Sequence, residues 1–237
     1  MKNHIRTGWI ALLSFLILIN SLPVNAAKNI TIFAASSLTS SFSEVQERLI
    51  KLNPNIKVRF IFGPSSTLAT QIQNGAKVDI FVSASESDMN KITKGENYLI
   101  NRVVLGVAKN SRIMDFSDLN TDLKWIRCAD HVPCGAAAKR ALIFESITSE
   151  PVSLEPMSSS VLAKLLANEV DAAIIYNTDF IANAGKLRKV EFSNRASSIT
   201  QYKIARLVQS KDVTVVYNFI KSKSVLDLLV KKGFELK

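Results

Sequence analysis

The chain has 237 residues, with 30 Lys and Arg against 20 Asp and Glu, and therefore a formal net charge of +10. Its basic residues are scattered and have no aromatic residues interleaved with them, a pattern that argues against a nucleic-acid partner. The positive excess is compatible with an anionic ligand or an anionic membrane surface, and equally with a generic basic exterior.

The first 26 residues have the composition of a secretory signal peptide. Lys2 and Arg6 form a basic start, residues 9–19 are almost entirely apolar, and a small-residue cleavage site ends at Ala26. The apolar run is short for a membrane span and Pro23 closes it, which favours cleavage over a membrane anchor. Because no cysteine lies near this site, a lipid anchor is not expected. The sequence predicts a soluble protein in the periplasm or outside the cell.

Strand-like and helix-like segments alternate through the rest of the chain. The predicted strands are apolar for several residues in a row, which is typical of strands buried on both faces, and they cover residues 30–34, 57–62, 78–83, 102–108, 123–128, 151–156, 172–176, 187–192 and 202–208. The predicted helices cover residues 41–52, 69–75, 86–93, 136–144, 161–167, 213–222 and 225–232. This alternation predicts right-handed βαβ units and parallel sheets. Nine strands are too many for one open sheet of this length, so two α/β lobes with a ligand cleft between them are expected.

A serine-rich turn follows an apolar strand twice in the first third of the chain. In the first copy, residues 30–38 lead into a helix, and its predicted apolar face is made of Leu38, Phe42, Val45 and Leu49. In the second copy, residues 58–68 contain Pro64-Ser65-Ser66.

Serine at a helix start is expected to cap the free backbone amides, and the helix dipole adds partial positive charge there. A single turn of this kind is usually structural. Two in series predict a site that holds one small oxyanion between hydroxyls and amides.

Two cysteines, Cys128 and Cys134, have five residues between them. In an oxidising compartment this spacing favours a disulfide, which would stabilise the fold by only about 2 kcal/mol because the closed loop is short. The alternative is a metal or redox pair. That alternative lacks the Cys-x-x-Cys spacing and has only His131 nearby.

An enzyme is the rival class of function, because Ser37 or Ser65 could act as the nucleophile of a serine hydrolase. The Gly-x-Ser-x-Gly motif is absent, and residues 27–237 contain a single histidine, His131. Asp79 and Asp171 stand where helices lead into strands and are expected to be structural. We therefore predict that the protein is not an enzyme and that it has no cofactor and no metal-ligand cluster.

Six segments carry a resemblance to a known family. They are Ile32-Phe-Ala-Ala-Ser-Ser-Leu-Thr39, Pro64-Ser-Ser-Thr-Leu-Ala-Thr-Gln-Ile72, Val78-Asp-Ile-Phe-Val-Ser-Ala84, His131-Val-Pro-Cys-Gly135, Asn168-Glu-Val-Asp-Ala-Ala-Ile-Ile-Tyr176 and Gly233-Phe-Glu235. In their order and spacing the chain resembles the periplasmic molybdate-binding proteins of ABC importers. The resemblance spans essentially the whole chain after residue 26.

The resemblance implies a two-lobed periplasmic-binding-protein fold of type II. Each lobe is expected to be a mostly parallel sheet flanked by helices, with the ligand in the cleft between the lobes. Lobe 1 would comprise residues 27–105 plus 205–237, and lobe 2 residues 106–204, with crossovers near residues 105–108 and 204–207. The expected ligand is molybdate or tungstate, the expected partner is a membrane permease, and a monomer is expected. Another tetrahedral oxyanion, such as sulfate, is the alternative ligand.

The resemblance also assigns oxyanion ligands that are all neutral hydrogen-bond donors. Hydroxyls would come from Ser37, from Ser65 (with Ser66 as a neighbour that could share the role) and from Tyr176, and backbone amides from Cys134 and Ser158. The metal would arrive only as its oxyanion. Some members of the family also carry the same cysteine pair, which supports a disulfide between Cys128 and Cys134.

Overall fold

The computed structural model describes residues 29–236. The predicted signal peptide, residues 1–26, and its cleavage site lie outside the described residues. Within the described range, no helix is both long enough and apolar enough to cross a membrane.

The first half of the described chain alternates strands and helices around short loops. Its elements are β1 (Asn29–Ala35), a 3-10 turn (Ser36–Leu38), α1 (Thr39–Leu52), β2 (Lys57–Gly63), α2 (Ser65–Gln73), β3 (Ile80–Ser83), α3 (Glu86–Asn90) and β4 (Glu96–Ala108). The predicted apolar face of the first helix is confirmed, since Leu38, Phe42, Val45 and Leu49 are all fully buried. Burial of each such side chain is worth about 1.5–3 kcal/mol relative to exposure.

The second half continues the alternation. Its elements are a 3-10 turn (Phe116–Asn120), β5 (Trp125–Cys128), α4 (Pro133–Leu142), β6 (Ser153–Glu155), α5 (Ser158–Leu166), β7 (Ala172–Tyr176), α6 (Asn177–Ala182), β8 (Leu187–Val190), β9 (Ile199–Arg206), α7 (Lys211–Ile220) and α8 (Lys223–Lys231). Each of the nine predicted strands has a counterpart in the structure. The helix α6 was not predicted, because its polar sequence after a buried strand resembles a loop.

All nine strands join in one mixed sheet, in the order β2-β1-β3-β9-β4-β7-β5-β6 with β8 paired to β4. The expectation that nine strands are too many for a single sheet is therefore wrong. The predicted parallel pairing holds for β1 with β2 and β3, and for β5 with β6 and β7. In contrast, β9 runs antiparallel to β3 and β4, and β4 runs antiparallel to β7 and β8. Every one of these antiparallel pairs includes β4 or β9. These two strands connect the two halves of the sheet directly, without a helical crossover.

The long strand β4 changes partners part-way along its length. Residues 96–102 pair with β9, whereas residues 103–108 pair with β7 and β8. The buried side chains divide at the same place: one cluster lies within residues 103–192, and two others combine residues 30–99 with residues 202–234. The predicted strand at 102–108 was too short, because polar residues such as Asn97 and Asn101 interrupt the apolar pattern in the first half of β4.

Candidate functional site

A small cavity lies at the carboxyl ends of the strands, where β1, β2 and β7 end. Its volume is about 20 Å³, which leaves room for a compact ion and too little for a sugar or a peptide. The residues assigned from the resemblance all line this one cavity, namely Ser37, Ser65, Cys134, Ser158 and Tyr176. They come from five separate segments of the chain, and the fold brings them together.

The cavity is surrounded by the amino-terminal ends of helices. Ser65 and Ser158 are the first residues of α2 and α5, and Cys134 supplies the first amide of α4 because Pro133 has no N–H. The amides in the first turn of a helix have no intrahelical acceptor, and the helix dipole makes them partially positive. Three helix starts therefore aim free donors and positive potential at the same small volume.

None of the residues that line the cavity in the described chain carries a formal charge. The lining combines serines and Tyr176 with Ala, Gly, Pro, Val, Met and a disulfide-bonded cysteine. An anion in this cavity would therefore be held by hydroxyls and backbone amides, without a lysine or arginine and without a carboxylate to repel it.

Ser37 does not cap a helix, contrary to the prediction. It sits inside the 3-10 turn that follows Ala35, and its hydroxyl is 2.7 Å from the hydroxyl of Tyr202. Both side chains are buried. The hydroxyl is thus shared between the cavity and a tyrosine on β9.

Ser65 does not cap a helix either. Pro64 occupies the N-cap position of α2, and the Ser65 hydroxyl instead accepts a hydrogen bond of 3.0 Å from the backbone amide of Ala84. The prediction failed for both serines because each lies past the cap position, which Ala35 and Pro64 occupy, and its hydroxyl bonds to another segment instead. Neighbouring Ser66 is half-buried and does not line the cavity.

Tyr176 ends β7 and precedes the first turn of α6. Its ring is almost completely buried, and its hydroxyl donates to the Thr200 hydroxyl at 3.1 Å. Burial raises the pKa of Tyr176 well above its usual range. Tyr176 therefore stays a neutral phenol throughout the physiological pH range. Its single proton goes to Thr200 in this structure and would have to turn towards an anion bound in the cavity.

Two titratable groups behind the cavity were not found from the sequence. Burial raises the pKa of Tyr202 to about 12. Burial also raises the pKa of the Asp179 carboxyl to about 7, against a hydrogen bond from the Tyr176 backbone amide that lowers it. One Asp179 oxygen, Oδ2, is shielded from solvent and has no hydrogen-bond partner among the described residues.

Cys128 and Cys134 form a disulfide, as the spacing predicted, so the alternative of a metal-binding pair is wrong. The bond joins the end of β5 to the first turn of α4, so it pins the loop that carries the Cys134 amide. Gly135 is required beside it, because a Cβ atom at that position would lie 1.9 Å from the Ala129 carbonyl oxygen. The α4 start is therefore held tightly against the end of β5.

Other candidates from the sequence lie away from the cavity. His131 is exposed and does not line it, so neither cavity serine has the histidine partner that a hydrolase needs. Asp79 accepts the Thr31 amide at 2.8 Å, and Asp171 accepts the Lys124 amide at 2.8 Å. The structural role predicted for both aspartates is confirmed.

The profile of a family described as bacterial extracellular solute-binding proteins matches residues 30–235. The chain belongs to this family. Over 208 residues this solute-binding protein is 33% identical to the molybdate-binding protein ModA of Mycobacterium tuberculosis, an alignment that covers 84% of the chain and 80% of the relative.

Solved structures show the same fold. A periplasmic molybdate-binding protein from Azotobacter vinelandii aligns with a TM-score of 0.75 and 16% identity, covering 88% of this chain and 99% of that one. The sulfate-binding protein SubI of M. tuberculosis aligns with a TM-score of 0.71 and 18% identity, covering 88% and 87%. The predicted periplasmic-binding-protein fold is confirmed by these alignments together with the mixed sheet flanked by helices.

Proposed function

We propose that this solute-binding protein captures molybdate, and tungstate as a near-isosteric ligand, and delivers it to the membrane permease of an ABC importer. The observation that carries the proposal is the convergence of Ser37, Ser65, Cys134, Ser158 and Tyr176 on one small cavity that has only neutral donors. The 33% identity to a molybdate-binding protein over most of the chain supports the same ligand.

Neutral donors suit a fully deprotonated dianion. Such an ion needs a donor for each of its lone pairs and offers no proton of its own, so a carboxylate in the site would only repel it. Each hydrogen bond to a charged group contributes about 1.5–3 kcal/mol. Half a dozen of them, less the cost of ordering the site, give an affinity between about micromolar and nanomolar.

Phosphate and sulfate fit the site less well. Near neutral pH phosphate keeps at least one proton, which needs a hydrogen-bond acceptor. No carboxylate lies among the described residues that line the cavity to accept it. Sulfate has the right charge but is smaller than molybdate, so it cannot reach all the donors at good distances. The shared fold of the sulfate-binding protein makes sulfate the alternative ligand.

We infer that the anion binds between two lobes, residues 27–105 plus 205–237 and residues 106–204. In support, Ser37 and Ser65 lie on one side of the partner change in β4, and Cys134, Ser158 and Tyr176 on the other. The pairings put that change at residues 102–103, slightly before the expected crossover at 105–108.

The proposal includes a mature, monomeric protein in the periplasm, with the signal peptide cleaved after Ala26. Membership of an extracellular solute-binding family supports export. A soluble carrier must release its ligand to a membrane permease, which is consistent with binding by reversible hydrogen bonds alone.

A thermal-shift panel on residues 27–237, run beside an ester-hydrolysis assay, tests this function. Molybdate and tungstate should raise the melting temperature strongly, with little effect of sulfate and phosphate, because a ligand that binds only the folded state stabilises it. No ester turnover is expected. Turnover that Ser37→Ala abolishes, without any stabilisation by the four anions, would replace the binding function with a hydrolase.

A further inference from the structure

We propose that Tyr202 is a positioning residue of the oxyanion site, whose hydroxyl donates to the Ser37 oxygen and so directs the Ser37 proton at the anion. This inference rests on the proposed function, because it concerns how Ser37 acts as a ligand. Tyr202 does not line the cavity itself. Its effect would therefore pass entirely through Ser37.

The contact between the two hydroxyls is short and enclosed. The oxygens are 2.7 Å apart, and Tyr202 and Ser37 are 1% and 8% exposed. The Tyr202 ring packs edge-on against Phe234, with ring centroids 5.7 Å apart. The phenol is held by β9 and by this packing, so its hydroxyl has a fixed position behind the serine.

Counting protons decides which hydroxyl donates. A serine hydroxyl has one proton and two lone pairs. When Ser37 donates that proton to the anion, it has none left for Tyr202, so the 2.7 Å contact must be a donation from Tyr202. If Ser37 instead donated to Tyr202, it would present only lone pairs to the anion and would repel it.

The surroundings of Tyr202 favour the same direction. The Asn101 side chain is also close to the Tyr202 hydroxyl and lowers its pKa, as a donor to the phenol oxygen does. Asn101 is fully buried, and its amide nitrogen already donates one hydrogen bond, of 2.9 Å, to the Thr178 hydroxyl. An amide nitrogen has a second proton, which can go to the phenol oxygen. Once Tyr202 accepts in this way, its own proton is free for Ser37.

Ser65 is arranged in the same way by the backbone. Its hydroxyl accepts from the Ala84 amide, a group that can only donate, so the Ser65 proton is left for the cavity. Both serine ligands therefore have a donor behind them, an amide for Ser65 and a phenol for Ser37. Hydrogen bonds in such a chain polarise one another, which strengthens the last bond to the anion.

A double-mutant cycle tests the inference by titration calorimetry with molybdate. Ser37→Ala and Tyr202→Phe should each weaken binding by about tenfold or more, and the double variant should bind no more weakly than Ser37→Ala alone. Phenylalanine keeps the ring that packs on Phe234. A Tyr202→Phe variant with wild-type affinity would overturn the inference. So would a double variant whose fold-loss of affinity equals the product of the two single fold-losses.

Tyr98→Phe is the matched control. Tyr98 is also buried, and its hydroxyl donates to the Ile220 carbonyl oxygen at 2.9 Å, away from the cavity. This variant should lose stability and keep its affinity for molybdate. A loss of affinity equal to that of Tyr202→Phe would mean that removing any buried phenol loosens the site, and the inference would be wrong.

A second variant covers the case in which Tyr202→Phe does not fold. Replacing Tyr202 by 3,5-difluorotyrosine keeps the shape and makes the hydroxyl a stronger donor and a weaker acceptor. Affinity for molybdate should be equal to or higher than that of the wild type, and a clear fall would contradict a donating Tyr202. Failure of the wild-type protein to bind molybdate, tungstate or sulfate would contradict the proposed function and the inference together. If the wild-type protein binds molybdate but the double-mutant cycle shows no coupling between Ser37 and Tyr202, only the inference is wrong.

Discussion

The Ser65 hydroxyl accepts a hydrogen bond of 3.0 Å from the backbone amide of Ala84, the residue that follows β3. This bond joins the start of α2 to the end of the neighbouring strand region, and both groups line the cavity. It fixes the serine oxygen while leaving the serine proton available. A side chain that is held in this way loses little entropy when it binds an ion.

Ser65→Ala should weaken molybdate binding by about 1.5–3 kcal/mol, or roughly ten- to a hundredfold, because a hydrogen bond to a charged ligand is lost. It should also lower the stability of the ligand-free protein, because the Ala84 amide loses its acceptor. Calorimetric titration and denaturant unfolding measure the two effects. Ser66→Ala is the control, since Ser66 is adjacent but does not line the cavity; equal losses from both variants would contradict the assignment.

Tyr176→Phe should cost a similar amount of binding free energy, because it removes one donor and keeps the ring that is buried at the end of β7. Thr200 loses its hydrogen-bond partner in the same change, so a small loss of stability is expected as well. His131→Gln, in an exposed loop position, should leave the affinity almost unchanged. Calorimetry on both variants measures the two losses of affinity. A larger loss in His131→Gln than in Tyr176→Phe would contradict the proposed ligand set.

Reduction of the bond between Cys128 and Cys134 should lower the stability by about 2 kcal/mol, since the loop it closes is short. Affinity for molybdate should fall less than in Ser65→Ala, because the Cys134 amide stays at the start of α4. Thiol counting on the unreduced, denatured protein should detect no free thiol. Two free thiols in the exported protein would show that the bond does not form there.

The stability of the protein should depend on pH through Asp179. Its folded-state pKa of about 7 lies above the ordinary value of 3.8, so the native state binds more protons than the unfolded state between those values. Stability should therefore fall as the pH rises from about 4 to about 7, by at most about 4 kcal/mol, and then stay level. Asp179→Asn should remove this loss.

Urea unfolding at several pH values tests the effect of Asp179. The stability gained by Asp179→Asn should be small near pH 4, where the wild-type carboxyl is neutral, and should grow up to pH 7. A gain that is the same at every pH would show that the carboxylate charge is not the cause. The sequence offered no ligand that titrates near neutrality, and it therefore predicted an affinity for molybdate that is flat from pH 6 to 8. Because Asp179 interacts electrostatically with Tyr176 and Tyr202, we expect this flat profile of the Asp179→Asn variant.

The strand pattern and the residues that line the cavity could be predicted because each leaves a local signal. Buried strands are runs of apolar residues, and the cavity-lining residues lie in short segments whose order matches a known family. The pairing of β4 with β9 left no such signal, since it joins residues about 100 positions apart through a strand that carries Asn97 and Asn101. The sequence therefore indicated roughly where the chain passes between the two halves, and it missed the antiparallel pairing of the strands that connect them.

The roles of Tyr202 and Asp179 could not be predicted for a related reason. Tyr202 lies in a predicted strand, where a tyrosine is an ordinary core residue, and its partner Ser37 is 165 positions away. Asp179 lies in a helix that was not predicted at all. The capping prediction for Ser37 and Ser65 failed because a shift of one or two residues at a helix start decides where a hydroxyl points.

Calorimetric titration of residues 27–237 with molybdate, tungstate, sulfate and phosphate under one buffer condition tests directly whether the cavity is a molybdate site. A small cavity of neutral donors should bind molybdate and tungstate with similar affinity, about micromolar or tighter, and should bind sulfate and phosphate far more weakly. Binding of sulfate or phosphate as tight as that of molybdate, or no heat of binding with any of the four anions, would show that the cavity is not a site selective for molybdate.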